Sequence, residues 1–399
     1  MAEENKKELV VIGAGPGGYS AAFRAADLGL KVTLIDPAEH PGGTCLYQGC
    51  IPSKSLLDLL QQKHYTAKST MMGLQYNELS IDVRKVAEWK DKVVSNLTEG
   101  LGMLSEERDI EYIQGRAAFV SEHELEVETT EGEKSSIRFE QAIIATGAAA
   151  RELPEAKYDH KVILDAADAL ELKDIPDTLL VIGGGFIGHE IGSIYTALGS
   201  VVSLAEPEES LLSWVDQDLV EVFEKDNEGM FERIHLSTRV AQLTVEEGKA
   251  KVSMQSEDGE IEKEYDLVLV ALGRVPNTSG LQLGKAGVEL DAEGFVKVDE
   301  KRRTSTPTIY AIGDVAAKPQ YANKASYEGR IVAEVIAGEE GAVYDPKAIP
   351  CVVATTASEI AWCGLTEAQA KEAGIEVKVA RFPWQASGKA VLFGDTNGL

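Results

Sequence analysis

Leu9-Val10-Val11-Ile12-Gly13-Ala14-Gly15-Pro16-Gly17-Gly18 joins a short apolar run to a glycine-rich turn. A helical apolar pattern continues through Leu28, and a second apolar run over 31–36 ends on Asp36. Strand, glycine turn, helix and strand in that order predict a β-α-β unit. The whole pattern recurs. Residues 179–182 lead into Gly183-Gly184-Gly185-Phe186-Ile187-Gly188, a helix is expected to about Leu198, and the run 201–206 ends on Glu206. The fold class reads as α/β with two Rossmann-like units.

Each turn has the spacing G-x-G-x-x-G, on Gly13, Gly15 and Gly18 and again on Gly183, Gly185 and Gly188. Bare backbone there can approach a pyrophosphate, and the following helix directs its N-terminus at the negative charge. One copy alone is weak evidence. Here both follow a strand, open a helix and reach an acid at the end of the next strand, the context that a dinucleotide site requires. Such an acid accepts a hydrogen bond from a ribose 2′-hydroxyl and repels a 2′-phosphate. No Arg or Lys lies between Glu206 and Trp214, so the second unit favours NAD over NADP; a solvated strand end is the bland alternative for either acid.

Downstream of the first unit runs Gly42-Gly43-Thr44-Cys45-Leu46-Tyr47-Gln48-Gly49-Cys50-Ile51-Pro52-Ser53-Lys54. Residues five apart in a regular helix have Cα atoms about 8–9 Å apart, beyond the ~7 Å that a disulfide spans. The backbone between Cys45 and Cys50 must therefore bend, with Gly43 and Gly49 to allow it. A strained, accessible disulfide is the labile, redox kind. A structural bridge or two inert thiols is the alternative, disfavoured in a chain with four cysteines and no secretory segment.

The 399 residues, 44% of them hydrophobic, suffice for two or three domains. With neither a signal peptide nor an apolar span, a cytoplasmic location is expected. A net charge of −27 argues against nucleic acid. The expected divisions are 1–148, a first nucleotide domain; 149–272, a second inserted in it; 273–345, completing the first; and 346–399, an α+β segment. Within them, a helix is expected over 83–107, a small β-layer over 110–139 ahead of a strand at 141–145, and a helix over 323–336. Strands are expected at 349–354 and 390–393. Lys54 and Glu190 are candidates for a buried ion pair, though both residue types are usually on the surface. Asp314, after a buried strand and a glycine, suits a cofactor hydroxyl. Cys351 and Cys363 read as small core residues. The six histidines form no ligand pattern, and no metal site is expected.

Together these motifs resemble the flavin-dependent pyridine nucleotide-disulfide oxidoreductases, and Gly-Gly-Thr-Cys-Leu-x-x-Gly-Cys-Ile-Pro-Ser-Lys is similar to their dihydrolipoamide dehydrogenase branch. The mercuric-reductase branch is close to it in this motif. The resemblance runs from about Glu8 to Leu399. It implies FAD on Gly13, Gly15, Gly18 and Asp36, with Thr146, Gly147 and Asp314 completing the site. NAD falls on Gly183, Gly185, Gly188 and Glu206. Gly273 and Arg274 open the family's Gly-Arg-x-Pro-Asn motif. Ala322 begins Ala-Asn-Lys-Ala, with Asn323 where the family often has His, and Ala322 joins Gly273 and Arg274 in the cofactor set. Cys45 would exchange with a dithiol, Cys50 would contact the flavin, and Lys54 with Glu190 would stand beside its ring. The implied partner is dihydrolipoamide or the lipoyl domain of a 2-oxoacid dehydrogenase complex.

Ser358 stands where the family usually has Pro. Asn397-Gly398 reads as a hairpin turn with one residue after it. The resemblance implies that this segment continues into an interface domain carrying a His-Glu acid/base pair for a homodimer. The chain is therefore expected to have an incomplete interface domain and a compromised dimer. Another disulfide or mercuric-ion reductase, or a flavin-binding fragment without dithiol turnover, is the alternative expectation.

Overall fold

The computed structural model describes residues 6–76, 80–257 and 259–399. Residues fall into two compact units. One takes the chain up to Pro52 together with Asp91–Ala149 and Arg274–Pro346; the other takes Ser53–Lys90, Ala150–Gly273 and Lys347–Leu399. The expected architecture of two nucleotide-type α/β units, one interrupting the other, is present.

In the first unit, Lys6–Ile12 is the central strand, parallel to Val32–Asp36 on one side and to Lys134–Ile144 on the other. Glu111–Ser121 extends the sheet beyond Val32–Asp36, and Ile309–Ala311 extends it beyond Lys134–Ile144, both in parallel. Leu9, Val10 and Val11 are fully buried, as a strand covered on both faces requires. The separate β-layer expected at 110–139 is instead continuous with the sheet. Glu111–Ser121 and Lys134–Ile144 are each long enough to pair antiparallel with Glu124–Thr129 at one end and in parallel at the other. No Gly or Pro interrupts 134–144, so nothing stops the strand between its two roles.

Helices Pro16–Asp27 and Ala322–Ile336 cross at small residues: a Cβ on Gly329 would lie 2.4 Å from the Gly17 carbonyl oxygen. Ala21, Ala22, Ala25, Val332 and Ala333 fill the space beneath. That close crossing fixes where the second helix begins, and hence the Gly313–Val315 turn ahead of it.

In the second unit, Thr178–Ile182 is central, parallel to Val201–Ala205 and to Leu267–Val270. Arg233–His235 and Ile163–Leu164 close the two edges. An antiparallel meander, Arg239–Glu246, Lys249–Ser256 and Gly259–Tyr265, packs its Val252 and Met254 with Leu180 and Ile182. The hairpin of Pro350–Ala354 and Glu359–Cys363 adds Val353 and Ile360 to the core of this unit. Ser358 donates its backbone N–H to Thr355 Oγ1 at 3.0 Å, a bond that Pro could not make, and its hydroxyl accepts from Asn227 at 2.9 Å. The departure from the family residue therefore gains partners. Cys351 faces Trp362 across the hairpin, which puts Cys351 and Cys363 on opposite faces, and Cys363 is exposed rather than part of a core.

The strand expected at 390–393 is a correction. Gly388–Leu392 is helical, with the Ser387 hydroxyl accepting from Ala390 N as its cap. A four-residue apolar run has no period of its own, and a capping serine with no cross-strand partner decides for helix. Gly398 carries no hairpin; its carbonyl accepts from Trp384 N at 2.9 Å.

Both glycine turns obey one steric rule. Gly13 and Gly183 have φ of +99° and +108°, and a Cβ on Gly18 or Gly188 would meet the carbonyl oxygen of Gly13 or Gly183 at 1.8 or 2.0 Å. Around Gly15 and Gly185 nothing comes nearer than 3.8 Å to such a Cβ. Gly188→Ala is therefore expected to lower stability by about 1–3 kcal/mol or more through overpacking. Gly185→Ala should leave the melting temperature nearly unchanged, and thermal unfolding of the two variants checks the contrast.

Candidate functional site

The first turn is closed by its acid. Asp36 Oδ2 accepts from Ala14 N at 2.7 Å and Oδ1 from Ala38 N at 2.9 Å. Burial nevertheless raises the Asp36 carboxyl above the usual carboxylate range, outweighing the hydrogen bonds that favour its charge. The second turn repeats the arrangement: Glu206 Oε2 accepts from Gly184 N at 2.6 Å, and Oε1 from Glu208 N at 3.0 Å. The helices Pro16–Asp27 and Phe186–Leu198 both begin at the middle glycine with no side-chain cap. Their uncapped first-turn amides, beginning after Pro16 in the first helix, suit an anionic ligand. The residues present fit a dinucleotide at each turn: a Cβ-free gap, an uncapped helix N-terminus and an acid at the strand end.

The thiol segment bends at Gly49, between helix Gly43–Gln48, which carries Cys45, and helix Cys50–Met71, which Cys50 opens. Cys45 is half-buried and Cys50 exposed. Gly43 has φ +59°, and a Cβ there would lie 2.4 Å from Gly15 Cα. Gly42 N donates to Ala14 O at 2.8 Å. The helix bearing Cys45 is thus pinned to the first glycine turn, a contact that spacing alone did not reveal. Tyr19 was also missed: its phenol is pushed up by burial, with Cys45 and Cys50 adding to the shift. It sits four residues after Gly15 on a helix that reads simply as amphipathic, so no sequence signal marks it.

Thr146 and Gly147 are zipped to Asn277. Asn277 Nδ2 donates to Thr146 O at 3.0 Å, Asn277 N to Gly147 O at 3.0 Å, and Thr146 Oγ1 to Asn277 O at 2.8 Å. An Asn side chain can mimic a backbone amide, and its place after Pro276 was the available signal. The Arg274 guanidinium donates to Ala148 O and lies 3.9 Å from Asp314 Oδ2. Burial raises the Asp314 carboxyl, and Arg274 and Lys324 oppose it. Ala322 is the first residue of helix Ala322–Ile336, whose Tyr321 cap position makes no side-chain cap bond.

In the second unit, Lys54 Nζ donates to Glu190 Oε1, and Ser53 Oγ donates to Glu190 Oε2 at 3.1 Å. The Glu190 side chain is 5% exposed, whereas that of Lys54 is 45% exposed. Glu190 is therefore the fixed partner. His189 beside it is buried between Phe223 and Phe231, with Nδ1 3.0 Å from Gly185 O. Burial lowers its pKa, while hydrogen bonds to the turn backbone oppose that shift. Gly273, with φ +93°, accepts from Arg151 N at 3.0 Å.

Asp314 generates a pH test. A carboxyl whose folded pKa is raised above its usual 3.8 contributes stability that is present below 3.8 and lost as pH rises through the folded value. In cofactor-free protein, Asp314→Asn should therefore gain stability over the parent as pH rises from 4 towards 7 (roughly, the carboxylate range and above). Urea unfolding across that range reads the difference, and a gap that stays constant with pH would contradict the burial of this charge.

The profile of the pyridine nucleotide-disulphide oxidoreductases matches residues 7–329, and that of their dimerisation domain matches 349–399. A dihydrolipoyl dehydrogenase from Haemophilus influenzae is 41% identical over all of this chain and 83% of its own length. One from Vibrio cholerae is 42% identical over the same shares. Among solved structures, a HOCl-induced flavoprotein disulfide reductase from Escherichia coli superposes with a TM-score of 0.86 at 30% identity, over 99% of this chain and 85% of that one. LpdA from Mycobacterium tuberculosis gives 0.90 at 26% identity, over 98% and 85%. With two matching nucleotide turns, a pinned thiol segment and these relatives, the chain belongs to the pyridine nucleotide-disulphide oxidoreductases, enzymes that work with FAD and NAD.

Proposed function

We propose that the chain is a dihydrolipoyl dehydrogenase, which oxidises a dihydrolipoyl dithiol to its disulfide and passes the electron pair to NAD. The observation that carries this reading is the pinning of the Cys45 helix to the first glycine turn through Gly42, Ala14, Gly15 and Gly43. A thiol pair held at one nucleotide turn, in a chain that has a second, is what an electron relay from dithiol to nicotinamide needs. The relatives' activity supports it.

In this reading Gly13, Gly15, Gly18, Asp36, Thr146, Gly147, Asp314 and Ala322, with Arg274, hold FAD. Gly183, Gly185, Gly188, Glu206 and Gly273 hold NAD. Bound FAD supplies a two-electron acceptor between the thiols and the nicotinamide. The protein thiols start as a Cys45–Cys50 disulfide. A substrate thiolate attacks Cys45 Sγ, the S–S bond breaks and Cys50 leaves as thiolate. The second substrate thiolate then displaces Cys45, so that the substrate departs as a disulfide and the protein keeps the two electrons as a thiol pair. The protons pass to the displaced thiolates or to solvent. Cys50 is the thiol assigned to flavin contact. Glu190 fixes the Lys54 ammonium, the pair assigned to the flavin's side. The substrate is dihydrolipoamide or the lipoyl domain of a 2-oxoacid dehydrogenase complex, the chain pairs as a homodimer through 349–399, and it works in the cytoplasm. Among the described residues no helix is long and apolar enough to cross a membrane.

Turnover of the FAD-loaded chain with dihydrolipoamide, oxidised glutathione and mercuric ion tests the reading. Dihydrolipoamide with NAD should be the productive pair, and a preference for glutathione disulfide or mercuric ion would reassign the substrate. Cys45→Ser should reduce dithiol oxidation to background while electron transfer from NADH to a dye persists. Glu206→Gln should narrow the preference for NADH over NADPH by about tenfold or more, because the repelling charge is gone. An unchanged ratio would remove Glu206 from that role.

A further inference from the structure

Around the Gly313–Val315 turn the first unit buries a cluster of charges. Helix Ala322–Ile336 carries Lys324 and Glu328 one turn apart, their side chains 2% and 0% exposed, with Nζ 3.1 Å from Oε1. Arg302 brings Nε to 3.4 Å from the same oxygen and lays its guanidinium 3.7 Å over the Tyr344 ring. The other carboxylate oxygen, Oε2, accepts from Gly313 N at 2.6 Å. Lys324 Nζ also donates to Ala317 O at 3.1 Å and lies 3.4 Å from Gly313 O. The turn is thus gripped at the N–H and the carbonyl of Gly313, and the chain just after it at Ala317 O.

A buried ion pair adds little net stability, and apolar residues of similar volume can often replace it without loss. What an apolar residue cannot do is accept the Gly313 hydrogen bond. Gly313 has φ +73°, a conformation that directs the chain into Asp314, and a Cβ there would already touch Ala325 Cβ at 3.0 Å. We propose that Glu328 is a positioning residue of the first nucleotide site: it clamps the Gly313 amide, with Lys324 and Arg302 holding its carboxylate, and so presents Asp314 to a hydroxyl of the bound flavin nucleotide. This rests on the reading of Asp314 as an FAD contact. Burial holds the Lys324 ammonium below its usual range, and the Glu328 carboxylate opposes that shift.

The test uses the full chain stripped of flavin and titrated with FAD by fluorescence quenching, with NADH affinity and melting temperature measured in parallel. The double variant Lys324→Met/Glu328→Met removes the closest pair and leaves Arg302 stacked on the Tyr344 ring; once folded, it should bind NADH like the parent. Its FAD affinity should fall about ten- to a hundredfold, the scale of one charge-assisted hydrogen bond. Lys324→Met/Glu328→Gln restores an acceptor for Gly313 N and should recover most of that loss, which a merely structural role would not require. If the Met pair does not fold, Glu328→Asp, which keeps the charge but shortens the reach, must show the FAD loss instead. Parent-like FAD affinity in the folded Met pair or, failing that, in Glu328→Asp overturns the clamp, as does failure of the Gln pair to recover. Asp314→Asn separates the two readings. If it binds FAD normally, the assignment of Asp314 fails and the clamp with it; if it binds weakly while the Met pair binds well, only the clamp fails.

Discussion

The exclusion of a Cβ atom above a carbonyl oxygen is the constraint on which this molecule rests. At Gly18 and Gly188 the helix following each glycine turn comes so close to the strand end that a methyl group would sit within 2.0 Å of oxygen. That approach aims the helix N-terminus, and the acid at the next strand end then locks the turn through a single amide, Ala14 in one unit and Gly184 in the other. The acid stands 22 residues beyond its amide in both cases. The middle glycines are different. They relieve no clash with the protein and leave room for a ligand, so the same short motif contains both a folding requirement and a binding requirement.

Around these turns the protein holds carboxylates that are partly or wholly withdrawn from water. Asp36 and Asp314 are both raised by burial, and Glu328 is wholly buried with two cations against it. Apolar packing would serve stability as well or better. The polar arrangement serves geometry: Asp36 and Glu328 end on backbone amides of the turns, and Asp314 lies beside the Arg274 guanidinium. In the second unit Glu190 plays a related part, buried between Ser53 and Lys54. Stability comes instead from the apolar sheets, whose central strands are almost entirely inaccessible.

The thiol segment shows how local and tertiary requirements meet. Five-residue spacing alone demanded a bend between Cys45 and Cys50, and the bend is present at Gly49. The position of that bend in space is not a local matter. It depends on Gly43 touching Gly15, a contact between two sequence motifs that have no pattern in common.

Periodicity and glycine spacing determined a great deal: the α/β class, the duplicated β-α-β units, the strand-end acids Asp36 and Glu206, and, to within a residue, the helices expected over 83–107 and 323–336. These follow from local rules, since a strand-turn-helix junction with no room for a side chain can be written in few other ways. The sequence misled where a run was too short to have a period, at 390–393, and where one strand paired antiparallel at one end and in parallel at the other within a single sheet, at 134–144. It was silent on Tyr19 and on the grip of Glu328 on Gly313, and it marked Asn277 only by its place after Pro276, not by the bonds it makes to Thr146 and Gly147. Those residues lie far along the chain from the groups they serve or face them across a helix, and Tyr, Asn, Lys and Glu occur on any amphipathic surface. Only tertiary packing, which decides which polar group loses water and must find a partner, picks them out.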